Sequence, residues 1–155
     1  GQVRVFGEII GEDAEFSRAT GAIIDGPGFL PQHSGFKNLQ LLAMIRNQVT
    51  KEEIAEAIRM VGLDPHDKRP VRTYSTGMRQ RLGLAQAIME KPELLLLDEP
   101  TSAIDREGAQ VIHHLLKDLN QAGVTIMLTS HSSAELATLC DQVYVMERGR
   151  LSVSN

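Results

Sequence analysis

The residues best suited to chemistry stand where a long apolar run stops. Leu94-Leu95-Leu96-Leu97 is followed directly by Asp98-Glu99 and then by Pro100-Thr101-Ser102-Ala103-Ile104-Asp105. Four consecutive leucines read as a strand buried on both faces, inside a parallel sheet. In open α/β sheets ligands sit beyond the carboxyl ends of the strands, so both acids point to a site. Neighbouring strand residues face opposite ways. One carboxylate can therefore hold Mg²⁺ through water while the other receives a proton. Pro100 stops the strand and Asp105 opens a helix. A plainer reading fits the same residues, a buried strand followed by an acidic helix N-cap, and this stretch alone does not separate the two.

Three further features carry possible chemistry. A second apolar run, Val124 to Thr129, ends at Ser130-His131, and a histidine at a strand's carboxyl end serves either structure or catalysis. His113 and His114 fall mid-helix and read as solvated. Tyr74-Ser75-Thr76-Gly77-Met78 opens a helix, where unpaired N–H groups and the helix dipole favour phosphate. A capped helix with no ligand has the same sequence. Ala22-Ile23-Ile24-Asp25 reads as a short strand ending on a carboxylate. It runs into Gly26-Pro27-Gly28-Phe29-Leu30-Pro31-Gln32-His33-Ser34-Gly35, with three glycines and two prolines. Such a loop binds, moves, or only connects.

The elements that must position these residues follow from periodicity. Val3 and Val5 alternate with polar neighbours, and Gly7 turns the chain before Glu8-Ile9-Ile10. Leu39, Leu42, Ala43 and Ile45-Arg46 predict one helix. Thr50-Lys51-Glu52-Glu53 is a capping box for the next, with Ile54, Ile58 and Val61 on one face and Gly62 at its end. A third helix starts at Ser75, buries Met78, Leu82, Ala85 and Met89, and closes at Lys91-Pro92. After the leucine run, Ile104, Gly108, Ile112, Leu115 and Leu119 mark a helix from Asp105. Gly123 then precedes a second buried strand, completing a βαβ unit. Ser132-Ser133-Ala134-Glu135 is a further capping box, opening a helix to about Cys140. Val143 to Val153 reads as a terminal hairpin turning at Arg148-Gly149. The expected class is α/β, a mainly parallel sheet core (1–32 and 92–155) interrupted by a helical insert (33–91). Asp98-Glu99, His131 and the Asp25–Gln32 segment then share one sheet edge.

Composition narrows the function. At 155 residues there is room for one domain, and 42% apolar with 23% charged residues is ordinary for a globular chain. A net charge of −4, with no basic run, gives no support for a nucleic-acid surface. The single cysteine, Cys140, excludes an internal disulfide, fits a reducing compartment, and reads as a buried structural thiol. No apolar run reaches the roughly 18 residues of a membrane span, so a membrane role is expected to come through a partner.

Taken together, these motifs resemble the nucleotide-binding domain of ATP-binding-cassette (ABC) transporters across almost the whole chain. Tyr74-Ser75-Thr76-Gly77-Met78 is similar to the family's signature loop, usually Leu-Ser-Gly-Gly-Gln. Leu94 to Glu99 looks like the Walker B strand, Ser102-Ala103-Ile104-Asp105 like the D-loop, and His131 like the switch histidine. The Ser-Thr-Gly-Met variant and Gly-Phe-Leu-Pro-Gln-His-Ser-Gly look like the bacterial branch that exports bacitracin and lantibiotics. The resemblance implies a P-loop NTPase-type fold and ATP hydrolysis in a head-to-tail dimer. It implies that Asp98 helps hold Mg²⁺, Glu99 polarises the attacking water, and His131 contacts the γ-phosphate. By the same token Asp105 links the two sites, while Ser75, Thr76, Gly77 and Met78 cap nucleotide held by the partner. A second ATPase subunit and a transmembrane permease are the implied partners, which places the protein at the cytoplasmic face of the membrane.

The sequence departs from the family pattern in three places. Tyr74, Thr76 and Met78 replace the usual signature residues. The Q-loop position falls on Asp25, at the strand end, or on Gln32, the nearby glutamine; the bacitracin-type pattern favours Asp25. No Gly-x-x-x-x-Gly-Lys-Ser/Thr occurs. The chain is therefore expected to be an ABC ATPase domain incomplete at its N-terminus, lacking P-loop and adenine-stacking aromatic, and inactive alone. Two alternatives are an ABC-type ATPase of ribosomes or DNA and a catalytically dead regulatory module. The short helical stretch at 36–74 speaks against the DNA-repair form, and Glu99 with His131 against the dead one.

Overall fold

The computed structural model describes residues 1–15, 17, 19–26, 28–46 and 48–153; Pro27, in the glycine-rich loop, lies outside them. Strands β1 (Arg4–Val5) and β2 (Glu8–Ile9) form an antiparallel hairpin. Its turn residues Phe6 and Gly7 both have positive φ, as the twist of a two-residue hairpin loop requires. The central sheet is parallel, with β3 (Thr20–Ile23) beside β4 (Leu94–Asp98) and β4 beside β5 (Thr125–Thr129). Helices α1 (Gly35–Arg46), α2 (Lys51–Met60) and α3 (Thr76–Ile88) lie between β3 and β4 in the chain. Helix α4 (Arg106–Gln121) carries the chain from β4 to β5, and α5 (Ser133–Leu139) follows β5. Strands β6 (Tyr144–Glu147) and β7 (Arg150–Val153) form the expected hairpin, turning at Arg148-Gly149.

The register decides which side chains share the core. Ile23 pairs with Leu97, Leu95 with Ile126, and Leu97 with Leu128. Residues paired in this way lie on one face, and Leu95 and Leu97 are fully buried there against Leu39, Ile54, Leu82, Ile112 and Leu116. On the opposite face Leu94 and Leu96 are only half-buried and Met127 is 67% exposed. The leucine strand is thus buried on one face, not two, and β5 alternates between exposed and half-buried residues instead of being buried throughout. The reason is layering: Leu82, Ile112 and Leu116 of the helices share the buried cluster with Leu95 and Leu97, whereas Leu94, Leu96 and Met127 on the other face lie outside it.

Two local features seat the helices. A Cβ on Gly21 of β3 would fall 2.1 Å from the backbone oxygen of Ala87 in α3, so only glycine allows this approach. The Thr50 capping box forms as expected: the Thr50 hydroxyl accepts from the Glu53 N–H at 3.2 Å, and Glu53 accepts from the Thr50 N–H at 2.9 Å. Lys91, just past α3, donates to the other Glu53 oxygen at 2.6 Å. The Lys91 hydrogen bond, with those from Thr50, lowers the Glu53 pKa to about 2. A carboxylate depressed in the folded state contributes stability above its unfolded pKa of about 4.3, and that contribution is lost as pH falls toward the folded value. Melting temperatures measured from about pH 5 down to about pH 2 should therefore fall less steeply for Glu53→Gln than for the unaltered protein.

Candidate active site

The carboxyl ends of β4 and β5 lie side by side, with Asp98 paired in register to Thr129. Thr129 Oγ1 donates to Asp98 Oδ1 at 2.5 Å and accepts from the Glu99 N–H at 3.1 Å. One hydroxyl thus anchors both acids, although Thr129 reads in the sequence only as a strand end. Strand β4 stops at Asp98, and Glu99 takes a left-handed backbone with φ of 44°. The two carboxylates therefore separate through a turn and not through the strand's pleat. A left-handed conformation at a residue with a side chain costs on the order of 1–2 kcal/mol. Here it is held from both sides. The Glu99 carbonyl accepts from the Gln80 side chain of α3, from Ser102 N at 3.2 Å and from Ser102 Oγ at 3.1 Å.

That turn brings Glu99 Oε1 to 2.6 Å from His131 Nε2. The two residues expected to be catalytic are in direct contact. His131 is 92% exposed and Glu99 37% exposed, and a pair so open to water is worth at most about 1 kcal/mol. Such a pair adds little stability, and a carboxylate set against an imidazole at a sheet edge is an arrangement that can exchange a proton. Asp98 is exposed beside them. Among the described residues no group of three or more His, Cys, Asp or Glu could hold a metal. The donor set still suits Mg²⁺, which typically takes one or two carboxylates and completes its shell with phosphate and water.

Behind this pair lies a carboxylate that sequence reasoning treats only as part of a cap. Glu135 is 8% exposed. Its Oε1 accepts from Thr101 Oγ1 at 2.5 Å and meets His113 Nε2 at 2.8 Å, and its Oε2 accepts from Ser130 Oγ at 2.5 Å. The capping box expected at Ser132 is half formed. Ser132 Oγ accepts from the Glu135 N–H at 3.2 Å, but the Glu135 side chain turns inward instead of reaching back. His113 is accordingly a half-buried partner of Glu135 and not a solvated residue. Burial, the largest single influence, pushes the Glu135 carboxyl up; the hydrogen bonds from Ser130, Thr101 and His113 together outweigh it and leave its pKa lowered.

The start of α3 packs on the turn that follows β4. Ser75 is the N-cap, its Oγ accepting from Met78 N at 3.1 Å. Ser75 and Thr76 are exposed, while Met78 is half-buried against the core. A Cβ on Gly77 would meet the Ala103 oxygen at 2.8 Å, so glycine lets the helix approach the turn. Gln80 ties the two together, since its Oε1 also accepts from Ala103 N at 3.3 Å. Asp105 caps α4 by accepting from Gly108 N at 2.8 Å.

The Asp25–Gln32 segment completes the edge. Asp25 lies two residues past Ile23, as Glu99 lies two past its partner Leu97, and its φ of 56° marks another left-handed turn at a strand end. Asp25 and Gln32 are both exposed, and among the described residues neither hydrogen-bonds to Glu99 or His131. Beyond Asp25 the loop is stapled by Asn38 of α1, a buried residue that sequence reasoning passes over. Asn38 Oδ1 accepts from Leu30 N at 2.7 Å, and Nδ2 donates to the carbonyls of Leu30, His33 and Ser34 at 3.1, 3.3 and 3.0 Å. Val71 N and Arg72 N bond to the His33 and Pro31 carbonyls from the other side. Asn38→Ala should lower the unfolding free energy by about 1–3 kcal/mol, because the Leu30 N–H loses its acceptor and the Leu30, His33 and Ser34 carbonyls each lose one of two donors. Urea titration checks this, and a loss under about 0.5 kcal/mol would show that the staple is dispensable.

Comparison with known proteins bears on this arrangement. A family profile described as ABC transporter matches residues 1–102. The uncharacterized ABC transporter ATP-binding protein YybJ of Bacillus subtilis is 40% identical over 154 residues, covering 99% of this chain and 71% of YybJ. The bacitracin transport ATP-binding protein BcrA of Enterococcus faecalis is 40% identical over 154 residues, covering 97% of this chain. The chain spans 50% of BcrA's length. A dimeric structure of the ATP-binding cassette MJ0796, in a post-hydrolysis state bound to ADP and Pi, superposes with a TM-score of 0.84 at 19% identity. That match covers 99% of this chain and 73% of the other.

Proposed function

The chain belongs to the ABC transporter ATP-binding family, and on that premise we propose that it is the hydrolytic and dimer-forming part of an ATPase subunit that powers export through a membrane permease. The observation that carries this reading is the Glu99–His131 contact at 2.6 Å, on a strained turn and open to solvent. In the proposed reaction Glu99 orients and deprotonates the water that attacks the γ-phosphate, and His131 steadies its carboxylate through Nε2. A positioned base of this kind contributes about 10²–10⁴ in rate. Asp98, fixed by Thr129, is the residue that would hold Mg²⁺; the ion would neutralise charge on the phosphates. Asp25 is the better placed of the two Q-loop candidates, being level with Glu99 at the sheet edge.

Ser75, Thr76, Gly77 and Met78 present a helix N-terminus to solvent, and such a terminus favours phosphate. We assign them, with Asp105 beside them on the turn they pack against, to nucleotide bound by a second copy in a head-to-tail dimer. The BcrA similarity supports a bacitracin-type exporter, and with it a permease partner at the cytoplasmic face of the membrane. Among the described residues no helix is long and apolar enough to cross a membrane. A catalytically dead module is the weaker reading, because both Glu99 and His131 are present and paired.

The sequence holds no Gly-x-x-x-x-Gly-Lys-Ser/Thr, and a P-loop's backbone and lysine supply much of the electrostatic stabilisation in phosphoryl transfer. Residues 1–155 alone should accordingly release little phosphate from Mg-ATP, and the full-length protein should release it steadily. Turnover by the short chain equal to that of the full-length protein, and abolished by Glu99→Gln, would show that hydrolysis needs no such loop.

A further inference from the structure

The pair at the site has one half that nothing nearby holds. His131 is 92% exposed, and among the described residues the approach of its Nε2 to Glu99 Oε1 at 2.6 Å is the one polar contact of its side chain. Its position is therefore set by the backbone on which it sits, and that backbone is fixed one residue earlier. Ser130 Oγ donates to Glu135 Oε2 and accepts from the Ser132 N–H at 3.0 Å, so the loop on both sides of His131 is tied to one buried carboxylate. The other oxygen of the same carboxylate accepts from Thr101, two residues past Glu99. His113 of α4 meets that oxygen too and keeps the carboxylate from swinging away.

We infer that Glu135 is a positioning residue, a clasp whose two oxygens join the turn bearing Glu99 to the loop bearing His131 and so set the distance between them. Glu135 touches neither reacting group. It acts through Thr101 and Ser130, each within two residues of one of them. The arrangement spans four segments: the turn after β4, the loop after β5, α4 and α5. Among the described residues, this carboxylate alone connects the first two through side chains besides the strand ladder, the Thr129 hydroxyl and the Glu99–His131 contact whose distance it sets. A one-ångström displacement of a catalytic group can cost roughly 100-fold in rate, so a clasp at this place governs turnover while leaving nucleotide binding to other residues. The inference rests on the reading of Glu99 as the general base.

The test uses the full-length protein and three measurements: kcat, ATP affinity, and ring resonances of His131 in protein labelled with ¹⁵N-histidine. Glu135→Ala should lower kcat by roughly 10- to 100-fold with ATP affinity changed less than about twofold. The His131 resonances should move toward those seen in Glu99→Ala, where the ring has no partner left. Glu135→Gln, which retains the shape and can still bond to both hydroxyls, should recover most of the rate. Equal losses in kcat and ATP affinity, or His131 resonances unchanged by Glu135→Ala, would overturn the inference.

Should Glu135→Ala fail to fold, Thr101→Val and Ser130→Ala carry the test, each releasing one end of the clasp at little change in volume. A link broken at either end is broken, so the double variant should be no slower than the slower single variant. Losses that multiply would mean two independent structural contacts and no clasp. Glu99→Gln run alongside separates the two levels of the argument. If it abolishes hydrolysis while Glu135→Ala is silent, only the clasp is wrong; if Glu99→Gln is itself silent, the reading of the site fails.

Discussion

Glu99→Gln in the full-length protein is expected to lower ATP turnover by about 10²–10⁴-fold while leaving ATP binding intact. The amide keeps the volume of the carboxylate and can still accept from His131 Nε2, so the 2.6 Å contact has a neutral counterpart. The left-handed turn is held through the Glu99 backbone, by Thr129, Gln80 and Ser102, and none of those bonds uses the side chain. Folding should therefore be unaffected, and the loss should appear in kcat and not in affinity, the signature of an interaction made only in the transition state. The ATP-bound state of the variant should accumulate as a dimer, because binding is preserved and the step that dissolves it is blocked. Single-turnover hydrolysis and equilibrium ATP binding measured on the same preparation check both halves. A variant that hydrolyses at the wild-type rate would remove Glu99 from the role of base.

Ser75→Arg carries the second large effect. Ser75 is exposed at the first turn of α3, where its hydroxyl caps the helix and the free N–H groups face solvent. Arginine there removes the cap, at a cost of about 1 kcal/mol, and places a long cation where the second subunit's nucleotide should dock. Monomer ATP affinity should stay nearly unchanged, whereas the ATP-dependent dimer should disappear from size-exclusion profiles and hydrolysis should fall at least about 100-fold. The outcome distinguishes a phosphate-facing terminus from a merely capped helix: a capped helix alone loses stability of about 1 kcal/mol and nothing else. Loss of ATP binding by the monomer would instead place Ser75 in the nucleotide site of its own chain.

How far the molecule can be read from its sequence depends on whether a residue's meaning is local. The Thr50–Glu53 box, the Ser75 and Asp105 caps and the Arg148-Gly149 turn are settled by neighbours in the chain, and each forms where the sequence places it. The ends of β4 and β5 are legible for the same reason, since an apolar run that stops at a polar residue locates a sheet edge. Four residues that organise the site are not local. Thr129, Gln80, Asn38 and Glu135 each look like an ordinary polar residue on a strand or helix, and each acquires its role from partners 4 to 34 positions away. Glu135 misleads most, because Ser132–Glu135 has the spacing of a capping box while the side chain is drawn inward by Thr101, Ser130 and His113. Burial of the sheet is less legible for a related reason. Four leucines specify an apolar strand, but whether both faces are covered depends on layers that one strand's sequence does not encode.

The central claim is that one subunit's Glu99–His131 site is completed by the α3 N-terminus of another. It is tested most directly by mixing full-length Ser75→Arg subunits with full-length Glu99→Gln subunits and measuring steady-state ATP hydrolysis. Each variant alone carries two defective sites per dimer. In a mixed dimer acting in trans, both substitutions fall in the same composite site, and the other site retains Glu99 from one chain and Ser75 from its partner. Equal mixing should recover activity up to roughly a quarter of the wild-type rate, since about half the dimers are mixed and each holds one intact site. No recovery at any mixing ratio, with mixed dimers shown to form, would mean that Ser75 and Glu99 serve the same chain's nucleotide, and would contradict the composite site.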